Sequence, residues 1–198
     1  MQTKENLGFV GDFMFVKTHH ALIKLFDKPF TTQENTRGII YVVRDPRDIV
    51  LSMCNHCNFD IEESIASLLN ENFALKWHDS KNLYKYKKKP ISFLSSWERH
   101  YFSWVDDSFD CPKLVIKYED LVYDKNNTIR NIAHFFEINY KLKINKLETK
   151  IPNIIKQTDF NNFKNKEKNS GFSESVNNNF FNVGKKNQWL KNLSKDAA

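Results

Sequence analysis

The sequence predicts an α/β domain in which helices flank a central parallel sheet. Three short apolar runs, at 13–16, 39–43 and 113–118, are continuous rather than alternating, which is typical of strands covered on both faces. Helical patterns separate these runs and follow the last one, and such alternation is typical of a layered domain. The 198 residues suit one domain, spanning 1–198, with enough length for a sizeable core.

Four helices are predicted between and after the strands. The first follows Asp45-Pro46, because aspartate is a good N-cap and proline suits the first helical position. Asp60 and Glu63 have the spacing of a capping box at the start of the second helix. The remaining two helices are predicted over 93–105, where Trp97 and Trp104 share a face that should pack in the core, and over 127–136.

From about Asn139 the composition shifts toward Asn, Lys and isolated aromatic residues. The segment 164–189 shows no sustained period, so it is predicted to be a long polar loop. A loop of that length is uncommon unless it is functional or disordered.

The overall charge favours anionic ligands. There are 30 Lys and Arg residues against 24 Asp and Glu, which leaves a net charge of +6. This mild excess attracts anions, but it is too dispersed to indicate nucleic acid. The 17 phenylalanines and 4 tryptophans indicate a folded chain rather than a disordered one.

The cysteines and the hydropathy predict a soluble, cytoplasmic protein. Cys54, Cys57 and Cys111 make no even disulfide framework, which fits a reducing compartment. The CxxC spacing at 54–57 lacks a second ligand pair for a zinc site, so both cysteines are expected to be ordinary helical residues. No apolar run approaches the ~18 residues of a membrane span and there is no secretory segment, so no membrane partner is expected.

Each predicted strand ends in polar residues. The first runs into Lys17 and His19, the second into Arg44, and the third into Tyr118. Ligands of open α/β sheets bind beyond the carboxyl ends of the strands. These four side chains would therefore lie along one rim if the three strands were neighbours.

Arg44 is a candidate phosphate ligand. An arginine at a strand end can form a bidentate fork onto a phosphate, and the helix that follows would add its partial positive charge and free amides. Ser52, further along that helix, could donate its hydroxyl. The alternative is that Arg44 and Asp48 form a surface ion pair and that Ser52 faces water.

Five segments, in order, resemble the PAPS-dependent sulfotransferases, which use 3′-phosphoadenosine-5′-phosphosulfate (PAPS) as donor. The likeness covers nearly the whole chain and is greatest to bacterial members of the family. The segments are FVKTHHAL (15–22), YVVRDPRDIVLS (41–52), VIKYEDLVYD with IRNIAHFFEI (115–124 and 129–138), QTDF (157–160) and FFNVGKKNQW (180–189).

The resemblance implies a P-loop-like layered fold and transfer of a sulfuryl group from PAPS to a hydroxyl or amine, without a metal. His19 corresponds to the catalytic base, a role that suits an imidazole because its unperturbed pKa lies near neutrality. Lys17 is a candidate for stabilising the transferring group. His20 is not expected to share the base role, because adjacent residues leaving a strand point in different directions. Taken alone, His19 would also fit a partly buried polar residue at a strand end.

The other implied residues bind the donor. Tyr118 is also compatible with simple core packing. The implied set comprises Arg44 and Ser52 at the 3′-phosphate, Tyr118, Thr158 and Phe160 at the adenine, and Asn182 and Gly184 in a C-terminal phosphate loop.

Two departures from the family pattern qualify this prediction. The family's 5′-phosphosulfate loop, a Pro-Lys-x-Gly type of turn, normally lies well upstream of Lys-Thr-His, and residues 1–16 contain no such turn. Asn182 stands where the family's C-terminal loop carries an arginine, so the charge and the fork are lost there. The chain is therefore expected to be an N-terminally truncated domain or fragment with weak activity of its own.

Three alternatives remain open. A catalytically inactive relative would bind only the nucleotide 3′-phosphate. A P-loop kinase would need magnesium and a G-x-x-x-x-G-K-[S/T] sequence, which this chain lacks. A nucleic-acid-binding module is suggested only by the lysines and tyrosines of segment 82–89, so no nucleic-acid partner is expected. The acceptor is expected to be a small molecule or a glycan, and the oligomeric state cannot be predicted.

Overall fold

The structure is a computed structural model, and it describes residues 5–10, 13–76, 91–106, 109–172, 175 and 179–198. These residues fall into two compact units, one from Met1–Thr36 with Ile65–Asp110 and the other from Arg37–Ser64 with Cys111–Ala198. The single domain over 1–198 stays a prediction. Segment 82–89, on which the nucleic-acid alternative depends, lies outside the described residues.

The described secondary structure contains both strands and helices, in keeping with the predicted α/β class, although five strands precede the first helix and five helices follow the last strand. No helix among these residues is both long and apolar enough to cross a membrane. In chain order the elements are β1 (Glu5–Val10), β2 (Phe13–Lys17), β3 (Lys24–Leu25), β4 (Lys28–Pro29), β5 (Ile39–Val43), α1 (Pro46–Cys57), α2 (Ile61–Leu69), β6 (Ala74–Lys76), β7 (Ile91–Phe93), α3 (Trp97–Val105), β8 (Lys113–Lys117), α4 (Tyr118–Tyr123), α5 (Lys125–Tyr140), α6 (Leu147–Gln157), α7 (Phe160–Ser170) and α8 (Trp189–Asn192).

The first unit contains antiparallel strand pairs, β1 with β2, β3 with β4 and β6 with β7. Ser96 is the N-cap of helix α3, and its hydroxyl accepts a hydrogen bond from the Arg99 amide. Trp104 is buried on this helix, with its ring edge against Phe30 at 6.0 Å. The predicted core role of Trp104 is confirmed, whereas Trp97 is half-buried and stacks on Tyr101.

The prediction that run 13–16 is a parallel strand covered on both faces is wrong. Strand β2 pairs antiparallel with β1, and the side chains of Met14 and Val16 are exposed. Only residues 11 and 12 connect the two strands, and so short a connection permits antiparallel pairing only, because a parallel pair needs a crossover of about a dozen residues.

The second unit contains the predicted parallel sheet. Strands β5 and β8 pair in parallel, in a register that runs from Ile39 opposite Lys113 to Val43 opposite Lys117. Ile39 is buried, but Val42 on the opposite face is 48% exposed. The prediction that both faces of β5 are covered is therefore wrong. Side chains alternate between the two faces of a strand, and only the face of Ile39 is buried here.

Both predicted helix starts in the second unit are confirmed. Asp45 caps α1 by accepting a hydrogen bond from the Arg47 amide at 2.9 Å, and Pro46 is the first helical residue. The Asp60 carboxylate accepts from the Glu63 amide at 2.7 Å, while the Glu63 carboxylate accepts from the Asp60 amide at 3.0 Å. This reciprocal capping box fixes the first turn of α2.

The predicted long polar loop over 164–189 is wrong in its first third, because helix α7 continues to Ser170. Its inward-facing positions are Phe160, Phe163 and Glu167, and a buried glutamate breaks the apolar pattern that would have marked the helix. Helix α6 carries a similar contrary signal, because Pro152 lies inside it, yet the helix is continuous from Leu147 to Gln157 and Ile151 is almost fully buried.

Candidate functional site

Arg44 and Tyr118 are brought together by the register of the parallel sheet. They follow Val43 and Lys117, the last paired residues of β5 and β8. The Arg44 guanidinium carbon lies 4.4 Å from the centre of the Tyr118 ring, a cation–π contact. Burial raises the pKa of Tyr118, and the opposing effect of the Arg44 charge does not cancel this.

The Arg44 guanidinium is held on three sides. Its Nη2 donates to the Lys185 carbonyl at 3.2 Å and lies 3.8 Å from Asp48 Oδ2. Its Nε is buried and has no hydrogen-bond partner among the described residues. A buried N–H without an acceptor is rare in proteins. Arg44 is thus oriented by its neighbours, while its side chain remains 21% exposed.

The prediction that α1 offers free amides to a ligand is wrong. Pro46 has no N–H, and the Arg47 amide donates to the Asp45 carboxylate. The amides of Asp48 and Ile49 both donate to the Asp45 carbonyl, at 3.1 Å. The arginine at the end of β5, rather than the helix amides, is the donor that this segment can present.

Arg47 belongs to a separate contact. Its Nε and Nη2 form a fork onto the Asp45 carboxylate at 3.0 and 2.8 Å, which lowers the pKa of Asp45. Its guanidinium lies 3.6 Å from the centre of the Trp189 ring. Arg47 therefore joins the start of α1 to the C-terminal segment and is not available as a second phosphate ligand.

Asp48 does form an ion pair with Arg44, at 3.8 Å, but its side chain is 0% exposed, so this is not the surface pair of the alternative prediction. Its Oδ2 accepts from the Asn187 amide at 2.8 Å, and its Oδ1 accepts from the Trp189 amide at 3.2 Å. The carboxylate thereby connects α1 to a segment about 140 residues further along the chain.

Ser52 lies one turn beyond Asp48 on α1 and is exposed. On the same helix, Asn55 donates to the Asn179 carbonyl at 3.0 Å, and its side-chain oxygen accepts from the Asn182 amide group at 3.2 Å. The backbone carbonyl of Asn182 accepts from Lys164 at 3.0 Å. Ser52 therefore lies on α1 itself. Arg44 and Asn182 contact side chains of α1, those of Asp48 and Asn55.

Gly184 is required where it stands. Its φ is +64°, and a Cβ there would lie 2.4 Å from the Phe160 ring. Thr158 lies just before Phe160, at the end of α6, where its hydroxyl donates to the Ile154 carbonyl at 2.8 Å. The structure thus packs the predicted adenine residue Phe160 directly against the predicted phosphate loop.

Glu167 is a second buried carboxylate that holds the C-terminal segment. It accepts from the Ser175 hydroxyl at 2.7 Å and from the amides of Phe180 and Phe181 at 2.6 and 3.0 Å. Burial tends to raise the pKa of Glu167, but these hydrogen bonds outweigh it and the pKa is lowered. Segment 179–189 is therefore fixed at one end by α7 and at the other by α1.

Lys17 and His19 lie in the first unit, at the end of β2 and just beyond it, and both are half-buried. The Thr18 hydroxyl accepts a hydrogen bond from the His20 amide at 3.1 Å. The His19 carbonyl accepts from Nε2 of His100 at 3.2 Å. These contacts fix the backbone of residues 18–20. His19 as a whole is half-buried, but its Nε2 has no exposed surface.

His20 is a core residue, as its exposure of 1% shows. Its Nδ1 accepts from the Phe93 amide at 3.2 Å, its carbonyl accepts from the Trp104 indole at 2.8 Å, and its ring stacks on Phe30. Burial lowers the pKa of His20 and that of His100. His20 is therefore a hydrogen-bonded part of the core.

Cys54 and Cys57 are helical residues of α1, as predicted. The Cys54 sulfur lies 3.4 Å from the Ser64 hydroxyl, and burial raises the pKa of Cys57 to about 11. Within the described ranges, no group of three His, Cys, Asp or Glu side chains is placed to hold a metal. A thiol with a raised pKa is a poor nucleophile and a poor ligand near neutral pH.

The sequence analysis did not predict that two buried carboxylates, Asp48 and Glu167, hold the C-terminal segment 179–189 in place. Both are acidic residues at inward-facing helical positions. The signal for Asp48 was its place one helical turn after Arg44 and Asp45. Glu167 carried no comparable signal, because its partners lie in an irregular segment.

The comparisons with known proteins decide the family. A family model described as a sulfotransferase domain matches residues 7–198. The chain belongs to the sulfotransferase domain family. The resemblance inferred from the five segments is thereby confirmed at the level of the family.

This sulfotransferase domain has two similar curated relatives. It is 28% identical to an amine sulfotransferase of Oryctolagus cuniculus over 136 residues, which are 69% of this chain and 40% of that protein. It is also 28% identical to the luciferin sulfotransferase of Photinus pyralis over 152 residues, which are 76% of this chain and 35% of that protein. The domain therefore spans less than half the length of either relative.

A solved structure supports the fold. The crystal structure of the mouse sulfotransferase SULT7A1 complexed with PAP matches with a TM-score of 0.56 at 20% identity, over 81% of this chain and 53% of that one. The predicted fold class, an α/β layered arrangement with a parallel sheet and helices, is confirmed by this likeness and by the pairing of β5 with β8.

Proposed function

We propose that this sulfotransferase domain binds PAPS and takes part in transferring its sulfuryl group to a hydroxyl or an amine. The observation that carries the proposal is the arrangement of Arg44, which is stacked on Tyr118 and retains a buried, unpartnered Nε–H within the described part of the chain. The mouse structure holds PAP, the desulfated donor, and one curated relative is named for amine acceptors. Both support this donor and this class of acceptor.

The residues around Arg44 fit a phosphate. Arg44 supplies a positive charge on a side chain that is 21% exposed, and the exposed Ser52 hydroxyl on α1 adds a hydrogen-bond donor. The buried Asp48 carboxylate opposes an anion, but two backbone amides already bond to its oxygens. Arg44 and Ser52 are proposed to hold the 3′-phosphate, which positions the donor and takes no part in bond making.

The remaining donor contacts come from aromatic and loop residues. Tyr118, Thr158 and Phe160 are proposed to lie against the adenine, because an aromatic ring provides a stacking surface for a base. Asn182 and Gly184 form the adjoining loop, in which Gly184 permits close approach of the Phe160 ring. Asn182 can donate a hydrogen bond but supplies no charge.

His19 is proposed as the general base that takes the proton of the acceptor, and Lys17 as the cation that stabilises charge on the transferring group. PAPS supplies the activated sulfuryl group when it is bound. His20 does not suit the base role, because it is buried and its Nδ1 is already a hydrogen-bond acceptor for the Phe93 amide. His19 is the less buried histidine of this pair, although its Nε2 has no exposed surface and must become accessible for this role.

A second candidate is a relative that binds the nucleotide without turnover. The observation in its favour is Asn182, whose side-chain amide is bonded to Asn55 and which stands where the family has an arginine. This candidate predicts binding of PAP through Arg44 but no transfer of sulfuryl groups.

Calorimetric titration with PAP tests the donor site. We expect micromolar binding by the unaltered chain and a loss of roughly 100-fold in Arg44→Ala, since a hydrogen bond to a charged group contributes about 1.5–3 kcal/mol and each 1.4 kcal/mol is tenfold. The matched control is Arg130→Ala, which removes an exposed arginine paired with Glu148 on the other helices of the same unit. Equal loss in both variants, or no binding by a folded chain, would contradict the site.

Sulfuryl transfer from radiolabelled PAPS to a panel of phenols and amines separates the two candidates. His19→Ala should lose turnover by a factor of about 10²–10⁴, the usual contribution of a general base, while retaining PAP binding. A chain that binds PAP but transfers nothing to any acceptor supports the inactive relative. Unchanged turnover in His19→Ala would exclude His19 as the base.

A further inference from the structure

Asp48 combines full burial with an unusual pair of partners. Its side chain is 0% exposed, and both oxygens accept backbone amides, from Asn187 at 2.8 Å and from Trp189 at 3.2 Å. A buried charge is costly unless hydrogen bonds compensate it. Since its partners are amides of a distant segment, the position of that segment and the burial of Asp48 depend on each other.

The backbone of the segment is shaped around the carboxylate. Asn187 has a φ of +56°, in the left-handed region, and Gln188 follows with φ −64° and ψ −31°, in the right-handed helical region. Successive residues of opposite hand turn their amides toward one side and form a concave site for an anion. Asp48 occupies this concavity, so the carboxylate specifies the conformation of 187–189.

The same segment controls Arg44. The Lys185 carbonyl, two residues before Asn187, accepts from Arg44 Nη2 at 3.2 Å, and Asp48 Oδ2 lies 3.8 Å from that nitrogen. The guanidinium is supported on its other side by the Tyr118 ring. Asp48 therefore fixes the carbonyl that orients the guanidinium, whereas Arg44, and not Asp48, would contact a ligand.

We propose that Asp48 is a positioning residue that gives the donor site its selectivity for a nucleotide carrying a 3′-phosphate. The proposal rests on the proposed function, because it assumes that Arg44 binds that phosphate. Asp48 acts through residues 185–189 and Arg44 and touches no part of the nucleotide.

The two possible roles of Asp48, as a nearby charge or as a positioning residue, predict opposite changes in anion affinity when its carboxylate is removed. If Asp48 were only a nearby negative charge, its removal would strengthen binding of an anion at Arg44. If Asp48 positions Arg44, its removal weakens that binding. The sign of the change therefore decides between the two roles.

The test compares PAP with adenosine 5′-monophosphate, which lacks the 3′-phosphate, by calorimetry. The ratio of their affinities reports the contact to the 3′-phosphate alone. In Asp48→Asn one oxygen can still accept an amide, but the new NH₂ group faces the other amide. We expect this ratio to fall by roughly 10-fold or more, in line with the loss of a charge-assisted hydrogen bond. An unchanged or increased ratio would overturn the proposal.

Glu167→Gln is the matched control, because Glu167 is the other buried carboxylate that accepts amides of this segment, those of Phe180 and Phe181. It should lower stability and affect both nucleotides by similar factors, so the ratio stays within about twofold of the original. Equal falls of the ratio in both variants would show general loosening of the segment and would overturn a specific role for Asp48.

Hydrogen exchange on the unaltered chain provides a test that does not depend on folding of a variant. PAP should slow exchange at the Asn187 and Trp189 amides more than adenosine 5′-monophosphate does at equal saturation, by roughly 10-fold. Equal protection by both nucleotides would overturn the proposal. If the unaltered chain shows no preference for PAP at all, the proposed function fails first, and the two failures are thereby distinguished.

Discussion

Residues 17–22 and residues 44–52 look alike in sequence but are used differently. Each follows an apolar strand and begins with a basic residue, Lys17 or Arg44, among polar neighbours. In the first segment, the adjacent β7 and α3 take His20 into the core as a hydrogen-bonded residue. In the second, Asp48 is the buried polar residue, and Arg44 keeps a donor without a partner among the described residues.

The difference lies in how each segment satisfies its buried polar groups. The polar groups of His20 form hydrogen bonds with the neighbouring strand β7 and helix α3, so they are paired within the core of the first unit. Asp48 is satisfied by amides of a segment about 140 residues away, which also provides the carbonyl bound to Arg44. A polar residue near a strand end is thus a core residue or part of a site according to what packs over it.

The largest effect is expected where the C-terminal segment meets α7. Gly184→Ala should destabilise the second unit by about 3 kcal/mol, because its φ is +64° and the new Cβ would lie 2.4 Å from the Phe160 ring. Urea unfolding measures this. In a Phe160→Ala background the added cost should fall to about 1 kcal/mol, that of the backbone strain alone. An equal cost in both backgrounds would show that the ring is not the obstacle.

In the first segment, the stability cost of removing His20 can be compared with that of removing its neighbour His19. His20→Ala should cost about 2–3 kcal/mol, since it opens a cavity beside Phe30 and leaves the half-buried Phe93 amide without its acceptor. His19→Ala is the matched control and should cost less than about 1 kcal/mol, as is usual for partly exposed residues. Denaturant unfolding of both variants gives the values, and similar losses would contradict the division of roles.

Acidification should weaken the first unit before the second. Burial lowers the pKa of His20 and of His100, so below the unfolded histidine pKa of about 6.5 the unfolded chain binds more protons. Stability is therefore full above about pH 7 and falls toward pH 5, by at most about 1.4 kcal/mol per pH unit for each histidine. Thermal unfolding from pH 7.5 to 5.5 measures the slope.

Two variants show whether His20 causes the pH dependence of stability. His20→Gln should flatten it, whereas His134→Gln should not, because His134 is exposed on α5. The lowered pKa of Glu167 contributes only at more acidic pH, where its stabilisation is lost as the carboxylate becomes protonated. A slope that survives removal of His20 and His100 would contradict the assignment.

The smallest effect is expected at Asn187. Its φ of +56° is tolerated by asparagine but better suited to glycine, so Asn187→Gly should stabilise the chain by about 0.5 kcal/mol. Asn187→Val should instead destabilise it by about 1–2 kcal/mol, since a β-branched residue resists this conformation. Thermal unfolding compares the pair, and a loss of stability in the glycine variant would mean that the asparagine side chain contributes a contact.

Local chemistry made part of this structure predictable. The starts of α1 and α2 follow from Asp45-Pro46 and from the Asp60–Glu63 pair, since capping depends on residues three or fewer positions apart. The nearness of Arg44 to Tyr118 was predicted conditionally and follows from the parallel register of β5 and β8. The antiparallel β2 and the helical residues 160–170 were not predicted, because partner choice and a buried glutamate leave no local periodicity.

The sequence by itself determined the family, the α/β class, the helix starts and the candidate residues at the strand ends. Each of these depends on neighbouring residues or on motifs that keep their order along the chain. The tertiary structure alone decided that the first turn of α1 has no free amides, that His20 is a core residue, and that Asp48 is buried beneath the amides of Asn187 and Trp189. Those outcomes depend on contacts between distant segments, where burial and hydrogen bonding select one partner among many that the sequence permits.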